Sequence, residues 1–83
     1  EISLYPNPFS EQIQLQYFGS NQNHVADIFI YDHTGKLVTQ ESVSLNNTLL
    51  PSISTSHLNN GIYLVKIFVN GQMYWFKQLK NCL

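Results

Sequence analysis

Gly61-Ile62-Tyr63-Leu64-Val65-Lys66-Ile67-Phe68-Val69-Asn70-Gly71-Gln72-Met73-Tyr74-Trp75-Phe76-Lys77-Gln78-Leu79-Lys80 is the stretch that decides the fold. Two apolar runs flank Asn70-Gly71, a dipeptide that tolerates the positive φ a two-residue type I′ turn demands, which is the strongest short-range signal for a β-hairpin. Taking Asn70-Gly71 as the loop sets the register. Val69 faces Gln72, Ile67 faces Tyr74, Val65 faces Phe76 and Tyr63 faces Gln78 on one side, the expected core side. The other side pairs Phe68 with Met73, Lys66 with Trp75, Leu64 with Lys77, and Ile62 with Leu79. On that side the lysine stems can cover apolar neighbours, with Lys66 in cation–π contact with Trp75. The alternative is that exposed Trp, Phe and Met flanked by lysines form a docking surface.

Working back towards the start, turn signals separate short apolar stretches. Ile13, Leu15 and Tyr17 alternate with Gln14 and Gln16, the period of a strand with one buried face. Residues 18–24 read as a loop, and residues 25–31 as a strand with Ala26, Ile28 and Ile30 inward. Asp32-His33-Thr34-Gly35 has the form of a type I turn closed by a left-handed Gly, leading into a strand over 36–43. Asp27 falls outward on its strand and Asp32 in the turn, where an Asp accepts backbone hydrogens. Residues 45–50 read as a short strand stopped by Pro51, and 53–58 as irregular or briefly extended. No stretch has the i, i+3, i+4, i+7 apolar pattern of a helix. The expectation is an all-β, antiparallel, immunoglobulin-like β-sandwich of six to seven short strands, one domain over residues 1–83. Ile28, Ile30, Tyr63, Val65, Ile67 and Phe76 are its predicted core, in which the Tyr63 hydroxyl needs a partner.

Near the start, Tyr5-Pro6-Asn7-Pro8-Phe9 fixes φ twice and removes two backbone donors, so it is an extended-and-turn element that cannot sit inside a sheet. Four landmarks then stand in order: Tyr5 to Phe9; Ile28 to Val38 around the Asp32-to-Gly35 turn; Leu58 with Asn60 to Lys66; and Lys77-Gln78-Leu79-Lys80. This ordered set resembles the C-terminal sorting domain, type A, of the type IX secretion system, over nearly the whole chain. The resemblance implies a folded, non-catalytic address recognised by the outer-membrane secretion machinery. A cell-surface sortase would then remove it and join the cargo to an anchoring lipopolysaccharide. It implies translocon and sortase components as partners, an upstream cargo domain, passage through the periplasm, and a final place outside the cell or on its surface. Tyr5, Pro6, Asn7, Pro8 and Phe9 match the opening motif, Gly61, Tyr63 and Lys66 the middle one, and Lys77 and Lys80 the ending. With Trp75 from the lysine-flanked face, these are the candidate recognition residues. Asn81-Cys82-Leu83 after the last lysine departs from the family's ending.

Composition narrows the remaining classes. At 83 residues the chain forms a single small core with little room for an enclosed active site. Its 43% hydrophobic content is globular, and its longest apolar run is far shorter than the ~20 residues a membrane helix needs. A net charge of −1 with four lysines and no arginine speaks against nucleic-acid binding. Cys82 is the only cysteine, so an internal disulfide is excluded and stability comes from packing; a monomer is the expected state. His24, His33 and His57 lack metal-ligand spacing, no G-x-S-x-G elbow surrounds any serine, and no cofactor motif is present. Asn46-Asn47-Thr48 matches a glycosylation triplet only formally. The chain begins at Glu1 without a signal-like segment, which suggests a fragment or processed product, and the resemblance implies that it is cut from a larger secreted protein. The rival reading is a carbohydrate-binding or adhesive sandwich in which Tyr74, Trp75 or the other tyrosines stack on sugars; a plain spacer is the third.

Overall fold

The structure, a computed structural model, describes residues 2–18, 23–46 and 51–81. Among the described residues seven strands follow one another: β1 (Ile2–Tyr5), β2 (Gln12–Tyr17), β3 (His24–Tyr31), β4 (Leu37–Leu45), β5 (Ser52–Ser54), β6 (Gly61–Val69) and β7 (Gln72–Lys80). They make two antiparallel sheets, ordered β1-β2-β5 and β4-β3-β6-β7, with no helix among the described residues. This is the predicted all-β sandwich. Its strand order is immunoglobulin-like, with the fourth strand joined to the sheet of the third, sixth and seventh.

The period-two reading of the last hairpin holds along its length. Val69 pairs with Gln72, Ile67 with Tyr74, Val65 with Phe76 and Tyr63 with Gln78, while Phe68, Lys66, Leu64 and Ile62 meet Met73, Trp75, Lys77 and Leu79. Asn70 and Gly71 have φ of 51° and 73°, the double positive φ of a type I′ turn. The earlier hairpin turns at Asp32, whose carbonyl accepts the Gly35 N–H at 3.0 Å. Asp32 Oδ1 accepts the Thr34 N–H, the Thr34 hydroxyl and the Lys36 N–H at 2.9, 2.6 and 3.1 Å. These bonds, the Thr34 hydroxyl foremost, hold its carboxyl below the ordinary value of 3.8. Between Ile30 and Tyr31 the register slips, Val38 being the extra residue of a bulge beside the turn.

The core lies between the sheets. Ala26, Ile28 and Ile30 of β3 and Tyr63, Val65, Ile67 and Val69 of β6 face Ile13, Leu15 and Tyr17 of β2, Ile2 of β1 and Ile53 of β5, and all are buried. Fully burying one such aliphatic side chain contributes roughly 1.5–3 kcal/mol, so these alternating positions dominate the gain from folding. The Tyr63 hydroxyl finds its partner in the Asn59 carbonyl at 2.6 Å.

Two expectations change. Phe76 is only half-buried, because β7 is the outer strand of a four-stranded sheet facing a three-stranded one, and its inward rings Tyr74 and Phe76 reach the rim. The strand expected over 36–43 runs on, as β4, to Leu45, which is buried. The separate strand expected over 45–50 therefore loses its first residue, and residues 47–50 lie outside the described residues. So do Cys82 and most of the Asn46-Asn47-Thr48 triplet. The stretch expected over 53–58 to be irregular or briefly extended is extended only at its start, where Ile53 and Ser54 complete β5 and pair with β2.

Candidate recognition surface

Of the proline segment, Tyr5 closes β1 and Phe9 bridges Lys80 in parallel, while Pro6, Asn7 and Pro8 stand outside the strands. β7 lies at an edge, and the segment leaving β1 runs along it. Asn7 Oδ1 accepts the Leu79 N–H at 3.0 Å, and Asn7 Nδ2 donates to the Lys77 carbonyl at 3.4 Å. One step on, Phe9 N–H donates to the Leu79 carbonyl at 2.8 Å and the Asn81 N–H to the Phe9 carbonyl at 3.0 Å. With Pro6 and Pro8 lacking N–H groups, the Asn7 side-chain amide acts as a short surrogate strand. Phe9 is buried, its ring 6.1 Å from that of Tyr63.

Lys80 sits behind this seam. Only 4% exposed, its ammonium donates to the carbonyls of Thr55 and, at 2.7 Å, Leu58. Thr55, fully buried, donates its hydroxyl to the Ser10 carbonyl at 3.1 Å and its N–H to the Glu11 carbonyl at 2.8 Å. The opening motif, the turn after β5 and the end of β7 are thus stitched together around one cation. Lys80 therefore does not share a surface basic patch with Lys77; its charge is directed inward at backbone dipoles.

The outer face of the larger sheet carries the rest. Phe68, Met73, Trp75, Ile62, Leu64 and Leu79 are exposed there, Trp75 at 57%. Lys66 Nζ lies 4.6 Å from the Phe29 ring centroid, 5.6 Å from Tyr31 and 5.7 Å from Trp75, so Trp75 is one wall of three. Tyr31 and Trp75, from the strands on either side of β6, stack across it at 6.3 Å. Beside them an open groove of about 630 Å³ is lined by the Asp32-to-Gly35 turn, Ile62, Leu64 and Lys77. A second, of about 360 Å³, shares Ile62 and Lys77 and extends to Asn7, Pro8 and Leu79.

The candidate residues thus divide. Pro6, Asn7, Pro8, Trp75 and Lys77 are exposed, and Tyr5 and Lys66 are half-buried. Phe9, Tyr63 and Lys80 are interior. Gly61 opens β6 at φ 149°, a conformation in which a side chain would be strained. Thr55 and Leu58 as partners of Lys80, and Phe29 and Tyr31 around Lys66, were missed as site residues. Alternation along β3 does put Phe29 and Tyr31 on one face, but which strand lies beside β3 is not written locally. His24 packs edge-on to Tyr17 and His57 bonds Thr39 at 2.9 Å, each at a separate place.

Comparison with known proteins agrees with this architecture. The chain is similar over 99% of its length to part of a chain in the crystal structure of dimeric latent PorU from Porphyromonas gingivalis, with a TM-score of 0.70 and 23% identity, which shows a shared fold. It spans 9% of that PorU chain. No curated protein matches the chain significantly. The profile of the secretion system C-terminal sorting domain matches residues 3–80, essentially the whole sandwich with both its seam and its outer face. The chain belongs to the secretion system C-terminal sorting domain family, the C-terminal signals of type IX secretion that direct export to the cell surface or beyond it.

Proposed function

We propose that this domain is a folded address, joined to an upstream cargo and read in the periplasm by the outer-membrane type IX machinery through the outer face of the sheet β4-β3-β6-β7. The observation that carries this reading is the exposure of Trp75, Met73 and Phe68 around Lys66 and beside Lys77, an apolar surface rimmed by cations of the kind that marks a partner site. The residues of the seam serve the address indirectly. Asn7, Phe9 and Lys80 hold the edge strand in place, so that the face is presented in one conformation. After export, a cell-surface sortase removes the domain and joins the cargo to an anchoring lipopolysaccharide. The domain is substrate in that step and contributes no catalytic group.

The test is a periplasm-directed reporter fused ahead of the domain in a host with type IX secretion. The reporter should reach the surface or medium. Lys66→Gln with Lys77→Gln, in a domain of unchanged thermal stability, should hold it in the periplasm. Failure of the unsubstituted fusion to leave the periplasm would sink the address reading, and binding of the isolated domain to polysaccharide would then favour a glycan-binding module.

A further inference from the structure

The edge of β7 is closed over only part of its length. Leu79 directs both N–H and C=O outward, to Asn7 and Phe9, and Lys77 and Asn81 follow the same parity. By the two-residue repeat of a strand, Met73 and Trp75 also direct their backbone groups outward. Among the described residues nothing pairs with them, since the Asn7 surrogate strand stops at Lys77. The open stretch, Gln72 to Phe76, runs beside the exposed Met73 and Trp75 side chains, 50% and 57% accessible. Natural edges of this kind are usually blunted by charge, proline or a covering segment. Here the second half is covered and the first is left open and apolar.

Charge identifies the occupant. Residues 61–81 hold three of the chain's four lysines and none of its five acidic residues. One of those lysines, Lys80, is spent inside; Lys77 is exposed and Lys66 half-buried on the face next to the open edge. The opposite edge of the same sheet, β4, carries Glu41 instead.

We propose that the open edge at Met73 and Trp75 accepts an extended, acidic segment of a partner protein by strand addition. Its backbone continues the sheet beyond β7, an apolar side chain rests on Trp75, and a carboxylate reaches Lys77. Main-chain bonds supply affinity in this mode, and the pattern of side chains supplies selectivity. The lysine contact steers encounter and rejects basic strands. The partner strand would stop where Asn7 and Pro8 begin, so the proline segment also sets its register. This inference rests on the address reading and names the kind of partner that reads it.

The experiment uses the reporter fusion, with the exported fraction measured for Trp75→Pro, Trp75→Ala, Lys77→Glu and Glu41→Lys, each with its thermal midpoint. Trp75→Pro removes one outward N–H without touching the pairing with β6, and Lys77→Glu sets like charges against an acidic strand. Both should lower export about tenfold or more, Trp75→Ala less than Trp75→Pro, and Glu41→Lys not at all. Should Trp75→Pro fail to fold, Lys77→Glu decides, because its side chain is exposed. Full export of folded Lys77→Glu, or an equal loss with Glu41→Lys, overturns the strand-addition proposal while leaving the address reading intact. If the unsubstituted fusion stays in the periplasm, it is the address reading that fails.

Discussion

Asn7 accepts the backbone N–H of Leu79 at 3.0 Å across 72 residues of sequence. One side-chain amide thus joins the first landmark of the chain to the last. It satisfies the backbone groups of an edge strand where the flanking prolines cannot.

Asn7→Ala removes both bonds of that amide and should destabilise the domain by about 1 kcal/mol, since a net hydrogen bond of this kind contributes about that much. Asn7→Asp keeps the acceptor for Leu79 and loses only the donor to Lys77, so its loss should be smaller. Urea midpoints with amide exchange at Leu79 check this. Leu79 exchange as slow in Asn7→Ala as in the parent would show that the seam is held by Phe9 alone.

Lys80 and Lys77 should part company. Lys80→Met takes a charge-assisted donor from the Thr55 and Leu58 carbonyls and should cost roughly 1.5–3 kcal/mol. Lys77→Met, at an exposed position, should stay within ~0.5 kcal/mol. In a domain of this size a loss of that order lowers the melting temperature by about 4–8 °C per kcal/mol, which calorimetry resolves. Equal melting temperatures would refute the inward role of Lys80.

Core substitutions should follow position in the sandwich more than side-chain size. Ile67, fully enclosed in β6, should lose about 2–5 kcal/mol on change to Ala. Phe76→Ala on the rim should fall short of the ~3–5 kcal/mol that an enclosed Phe loses. Paired denaturation curves decide this, and a Phe76→Ala loss above that of Ile67→Ala would mean that β7 is more covered than its edge position implies.

Alkaline pH should loosen the fold through Tyr63. Burial first, and the Asp32 charge second, raise its pKa above the ordinary value of 10.0. The unfolded chain then releases the phenolic proton first. The contribution of Tyr63 is complete below that ordinary value and is lost as pH rises through the higher folded one. Stability of the parent should therefore fall more steeply above about pH 10 than that of Tyr63→Phe. Parallel slopes for the two proteins would contradict this.

The local chemistry of the chain determined a good deal by itself. Asn70-Gly71 dictated a type I′ turn, and the turn dictated the nine-pair register of β6 on β7, because side chains alternate with period two and a shift by one would expose every buried residue. Asp32 and Gly35 dictated the other tight turn, and the inward set of β3 followed from the same alternation. What only the tertiary structure decided is where these pieces lie relative to one another. Phe76 has the same local pattern as Val65, yet one is on the rim and the other enclosed, because an edge position depends on how many strands the facing sheet has. Lys80 and Lys77 are three residues apart and chemically alike. The first is drawn inward only because the Thr55 and Leu58 carbonyls, 25 and 22 residues earlier, converge at the end of β7. Asn7 has nothing in its neighbourhood to say that it will serve as the strand beyond the last one. Short-range torsional preferences are encoded residue by residue, whereas burial and hydrogen-bond partners across the sandwich exist only once both sheets have closed on their common core.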